Sequence, residues 1–92
     1  MPKYVIERDL PGLGFMSPDE LAATAAQSNK VLAEMAPHVQ WQHSYITDDK
    51  MYCVYIAPDA EAVREHARRG GFPADAVKQV GGIIDPTTGE AG

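Results

Sequence analysis

Between Gln40 and Ala57 the chain reads QWQHSYI, TDD, KMYCVYIA: two alternating runs rich in aromatic and β-branched residues, with Asp48 and Asp49 between them. Such runs suit pleated strands, and a short acidic pair between them is turn chemistry, so the stretch predicts a β-hairpin. This feature limits the rest of the chain more than any other. A hairpin alone is marginal in water and needs further strands or a covering helix. In 92 residues there is room for one domain with one modest core, a size at which association of copies often supplies missing burial.

The flanks supply the missing layers. KYVIER sets Tyr4 and Ile6 against Lys3, Val5 and Glu7 and stops at Leu10-Pro11-Gly12, which predicts a first strand. Ser17-Pro18-Asp19-Glu20 combines a capping residue, a proline suited to the first helical position and a glutamate where a capping box needs it. Leu21, Ala25, Ser28, Leu32 and Met35 then recur at spacings of four and three, giving one apolar helix face, and Pro37 ends the helix. A second helix is opened by Pro58-Asp59 and closed by Gly70-Gly71. VKQVGGIID reads as a last strand weakened at Gly81-Gly82, and PTTGEAG as a polar tail.

The order β-α-β-β-α-β predicts an α+β fold, the ferredoxin-like βαββαβ sandwich, with an antiparallel sheet and two helices on one face. A single domain is expected over residues 1–92, its ordered core spanning about 3–85. The other sheet face stays open, so a homodimer packed through or beside it is expected. In the hairpin, a two-residue turn at Asp48-Asp49 sets Thr47 opposite Lys50 and Ser44 opposite Cys53. It also places Trp41, His43 and Tyr45 with Tyr52, Val54 and Ile56, the more apolar face. A turn longer by one residue sets His43 and Tyr45 with Tyr55 and Cys53; the shorter turn is the preferred reading.

Charge and composition exclude several functions. A net charge of -5 and a pI near 4.9 argue against binding nucleic acid, which rests on clustered Lys and Arg. Arg64, Arg68 and Arg69 are interleaved with Glu61 and Glu65, the pattern of a solvated helix face. No apolar run approaches the ~20 residues that span a bilayer, and MPKYVIERDL lacks the hydrophobic region of a signal peptide, so no membrane partner and a cytoplasmic location are expected. The lone Cys53 fits a reducing compartment. No nucleophile motif, phosphate loop or nucleotide fingerprint occurs; an enzyme is not the favoured reading, and no catalytic residue is assigned.

Three histidines carry the remaining chemistry. His66 counts onto the apolar side of the second helix with Ala62, Val63, Ala67 and Gly70. A buried imidazole needs a partner there: a Tyr hydroxyl, Cys53, a carboxylate, water or a metal. A satisfied core histidine is the simplest of these. His43 lies on an edge strand, and His38 follows Pro37 in a surface loop. Cys53, Trp41, Tyr45 and Tyr55 are packing residues first.

The block W-x-H-S-Y-x-T-D-D-K-x-Y-C-V-Y-I-A-P-x-x-E-A-V-R-E-H-A-R-R-G-G-F-P-A, with the closing IDPTT, resembles the small bacterial DUF4242 proteins, among which are ferredoxin-like homodimers described as nickel-binding. The resemblance runs from Tyr4 to Thr88 and implies that fold, a homodimer and an affinity for nickel. Gly81-Gly82 departs from the bulkier residues expected in the last strand. No ligand motif transfers with the resemblance, so the metal candidates are read from the residues themselves: His38, His43 and His66. Nickel(II) accepts imidazole nitrogen together with carboxylate or water oxygen, and other divalent transition metals compete at the same donors. Without H-x-x-x-H or C-x-x-C spacing there is no preformed cage. A surface site, or one shared between subunits, suits sequestration or homeostasis. The rival reading is a small-ligand or haem-binding enzyme of the dimeric α/β-barrel type, with a pocket between helices and sheet. Its cofactor-binding candidates are Trp41, Tyr45, Cys53 and Tyr55, with His43 or His66 as base or axial ligand.

Overall fold

Alternation in the first strand, β1 (Lys3–Asp9), turns Tyr4, Ile6 and Arg8 inward and leaves Lys3, Val5 and Glu7 half-buried on the other side. The computed structural model describes residues 1–90, and β1 is followed by α1 (Pro18–Met35), β2 (Gln40–Ile46), β3 (Lys50–Ile56), α2 (Ala60–Gly70) and β4 (Ala76–Gln79). The strands form one sheet in the order β2-β3-β1-β4 with every pair antiparallel. This is the α+β, ferredoxin-like arrangement that the element order predicts. β1 lies at its centre, where Ile6 faces Cys53 of β3 and Val77 of β4.

Local signals set the helix ends. Ser17 accepts from the Glu20 N–H at 3.1 Å while the Glu20 carboxylate accepts from the Ser17 N–H at 3.0 Å, completing the capping box. At α2, Asp59 accepts from the Ala62 N–H at 2.8 Å, and Gly71 closes the helix with φ of 71°. The core gathers Tyr4, Ile6, Val39, Cys53, Tyr55, Ala57 and Val63, with Leu32 and Met35 of α1 packed against it.

The hairpin turn has two residues: the Thr47 N–H donates to the Lys50 carbonyl at 2.9 Å, and Ser44 stands opposite Cys53. Beyond His43 the expected facing fails. His43 pairs with Val54 but Trp41 pairs with Tyr55, so Gln42 is an extra residue, a β-bulge. One inserted residue reverses the side from which a side chain emerges. Trp41 therefore does not share a face with His43 and Tyr45; it lies under α1 with Ser44, Cys53 and Tyr55, where its indole N–H donates to the Ser44 hydroxyl at 2.9 Å. The more apolar, buried face is this one. His43 and Tyr45 stand exposed on the opposite face with half-buried Tyr52, Val54 and Ile56.

The last strand is shorter than the sequence suggests. It ends at Gln79, and Gly81 and Gly82 carry no side chain to pack, so Ile83 and Ile84 remain 72% and 84% exposed. The following residues form a turn around Asp85, whose carboxylate accepts from the Thr87 N–H at 3.0 Å. These hydrogen bonds to Thr87 and Thr88 hold the Asp85 carboxyl below its ordinary range.

Gly71→Ala puts a Cβ on a left-handed residue. The substitution is expected to lower unfolding free energy by about 1–2 kcal/mol in urea titration, with Gly71→Asn costing less.

Candidate functional site

The first half of α1 presents small side chains to the sheet. Ala22, Thr24 and Ala25 do not reach it, and α1 packs on α2 more closely than on any strand. The result is a cavity of about 500 Å3 between α1 and the sheet. Leu21, Ala25 and Ser28 of α1 are on one wall, Trp41, Met51, Cys53 and Tyr55 on the other, and Arg8, Ile46 and Phe72 also line the space.

Arg8 is the charged member of this lining and is only 2% exposed. Its Nη1 donates to the Pro73 carbonyl at 2.7 Å and its Nη2 to the Tyr55 hydroxyl at 3.3 Å. The guanidinium carbon also lies 5.5 Å from the centre of the Phe72 ring and 6.0 Å from that of Tyr55. Among the described residues no carboxylate forms an ion pair with it. A buried charge held only by neutral acceptors and ring faces is less compensated than one held by a carboxylate. Burial pushes the Tyr55 phenol up, so it stays protonated at neutral pH; the nearby Arg8 charge opposes that shift. Arg8 was not among the candidates read from the sequence. The signal was present, since position 8 has the parity of Tyr4 and Ile6.

His66 lies behind this wall, fully buried. Its Nε2 is 3.2 Å from the Ser28 hydroxyl, while its Nδ1 is buried with no hydrogen-bond partner among the described residues. The Tyr55 and Phe72 rings flank it, with centroids at 5.2 and 6.0 Å. Burial pushes the imidazole pKa down; the contact with Ser28 opposes this and the Arg8 charge adds to it. A neutral ring with its proton on Nε2 donates to Ser28 and leaves Nδ1 a bare acceptor, the less costly way to leave one nitrogen unpaired.

The other imidazoles lie elsewhere. His43 is exposed on the open sheet face, edge-on to Tyr45 with ring centroids 5.1 Å apart. His38 is exposed after α1, in a shallow surface depression shared with Asp59 and Glu61. The three are not brought together, and among the described residues no group of three His, Cys, Asp or Glu side chains could hold a metal ion. The donors of one chain therefore do not fit a nickel cage. Of the cofactor candidates, Trp41, Cys53 and Tyr55 line the cavity, and Tyr45 lies on the opposite face. No imidazole lines it.

A family model described as nickel responsive protein SCO4226-like matches residues 4–80, a span that takes in both helices and, but for Lys3, all four strands. The chain belongs to this SCO4226-like family. Among solved structures, the crystal structure of SCO4226 from Streptomyces coelicolor A3(2) superposes with a TM-score of 0.74, covering 89% of this chain and 99% of that one, at 21% sequence identity. At that identity the likeness is one of fold. No curated protein matches the sequence. The SCO4226-like match ends before Gly81 and so leaves out the exposed Ile83 and Ile84.

Because His66 is held neutral in the fold, its contribution to stability is complete above the ordinary imidazole pKa of about 6.5. It is lost as pH falls below that value toward the depressed pKa of the folded state. Urea midpoints measured from pH 7.5 down to 5 are expected to fall for the native chain and to fall less for His66→Gln; equal slopes refute the assignment.

Proposed function

We propose that this protein binds nickel in a sequestering or homeostatic role, at a site completed between two copies of the chain packed through the open sheet face. Membership of a nickel responsive family supports the metal. The observation that carries the location is the position of His43. An exposed imidazole stands there on a face whose Val5, Tyr52, Val54 and Ile56 are only half-buried, the kind of surface that a second copy covers. Twofold packing duplicates each donor, so one His43 becomes two, and nickel(II) accepts imidazole nitrogen with water oxygen in the remaining positions. The β1 carboxylates are otherwise engaged: Lys50 holds Glu7 at 2.7 Å and Asp9 at 3.3 Å. These contacts raise the Lys50 pKa.

His66 is poorly suited to the metal. It is sealed from solvent, and the Arg8 charge that lowers its pKa also opposes a second cation nearby. The rival enzyme or haem reading places an imidazole on the cavity wall as base or axial ligand, and the lining instead offers Met51, Cys53 and Tyr55 as its ligating side chains.

Titration calorimetry with nickel(II), paired with sedimentation, tests the proposal. Nickel uptake by a dimer is expected, with affinity falling about tenfold or more in His43→Ala and changing little in His38→Ala. Unchanged affinity in His43→Ala, or full uptake by a monomer, overturns it.

A further inference from the structure

We propose that the cavity between α1 and the sheet binds a small organic acid with a flat apolar body, whose acid group is received by Arg8. This goes beyond nickel binding and does not depend on it. A volume of about 500 Å3 is that of a small-molecule site, and the walls are mostly aliphatic, sulfur-bearing or aromatic. Such walls favour an apolar body, and the Trp41, Tyr55 and Phe72 rings around the space suit a planar one.

Arg8 determines the polar end of the ligand. It is almost wholly buried on the cavity lining, with no carboxylate partner among the described residues. A guanidinium has five N–H donors, and the contacts to Pro73 and Tyr55 leave others free. Beside apolar walls its charge attracts an anion and repels a cation more strongly than in bulk solvent. The Tyr55 hydroxyl accepts from Arg8 and has the Ser28 hydroxyl as a second polar neighbour, so a carboxylate oxygen entering the cavity competes with Ser28 for the phenol proton. The cavity thus selects by charge sign as well as by shape, and a divalent metal is among the species it disfavours.

Three probes of one shape test this on the whole chain: 1-naphthoate, 1-naphthalenemethanol and 1-naphthylmethylammonium, titrated by calorimetry and followed by thermal shift. Naphthoate is expected to bind about tenfold or more tighter than the alcohol, a step of about 1.4 kcal/mol, with the ammonium weakest. Ala25→Phe fills the space from α1 and is expected to weaken naphthoate about tenfold or more, leaving nickel uptake and oligomeric state unchanged. Arg8→Met is expected to abolish the preference for the acid; if that variant does not fold, the three-probe series on the native chain still decides. Equal affinities for the three probes, no binding of any, or undiminished naphthoate binding in Ala25→Phe overturns the proposal, and none of these results bears on the nickel site.

Discussion

The contact between Ser28 and His66, at 3.2 Å, joins the two helices that cover the sheet. It ties α1 to α2, and the lower half of α1 adds Leu32 and Met35 to the core. The upper half has only alanines, Thr24 and Leu21 to offer the sheet and rests above an open space. A hydrogen bond between two buried side chains contributes about 1 kcal/mol net, but leaving either partner bare costs more. The placement of α1, and with it the height of the cavity, therefore leans on a buried imidazole.

The sheet separates two chemistries. On the helix side a buried guanidinium borders an apolar cavity, and on the open side an exposed imidazole stands among half-buried apolar residues. The chain as a whole carries a net charge of -5, yet the cavity wall is cationic. Overall charge governs long-range encounters, whereas selectivity inside a cavity follows from the groups that face it. The bulge at Gln42 sharpens this separation, because it sends Trp41 to the cavity while His43, two residues on, faces the other way.

What the sequence disclosed was local in origin. The capping box at Ser17 and Glu20, the Asp59 cap, the glycine stop at Gly71 and the two-residue turn at Asp48-Asp49 each arise within a few residues, and each is legible without tertiary information. With the order of elements they were enough to give the fold. The bulge at Gln42 was not legible, since it depends on Trp41 finding space beneath α1 and Ser44 as a hydrogen-bond partner. Arg8 has the right parity to be inward-facing, but arginine is so rarely buried that parity alone does not single it out. The cavity was hidden for a related reason: a face of Ala22, Ala25 and Ser28 is equally compatible with close helix-sheet packing, and only the three-dimensional arrangement shows that the gap stays open. The pattern VKQVGGIID suggested a longer last strand because its apolar residues alternate acceptably; the two glycines break the pairing.

The placement of Trp41 has an optical consequence. It is the chain's single tryptophan, and it sits on the cavity wall with its N–H engaged by Ser44. Indole emission from this protein arises at one spot, so its wavelength and intensity report the polarity of the space under α1 and of nowhere else. The molecule carries a built-in chromophore at the place where wetting, filling or the lifting of a helix would first be felt.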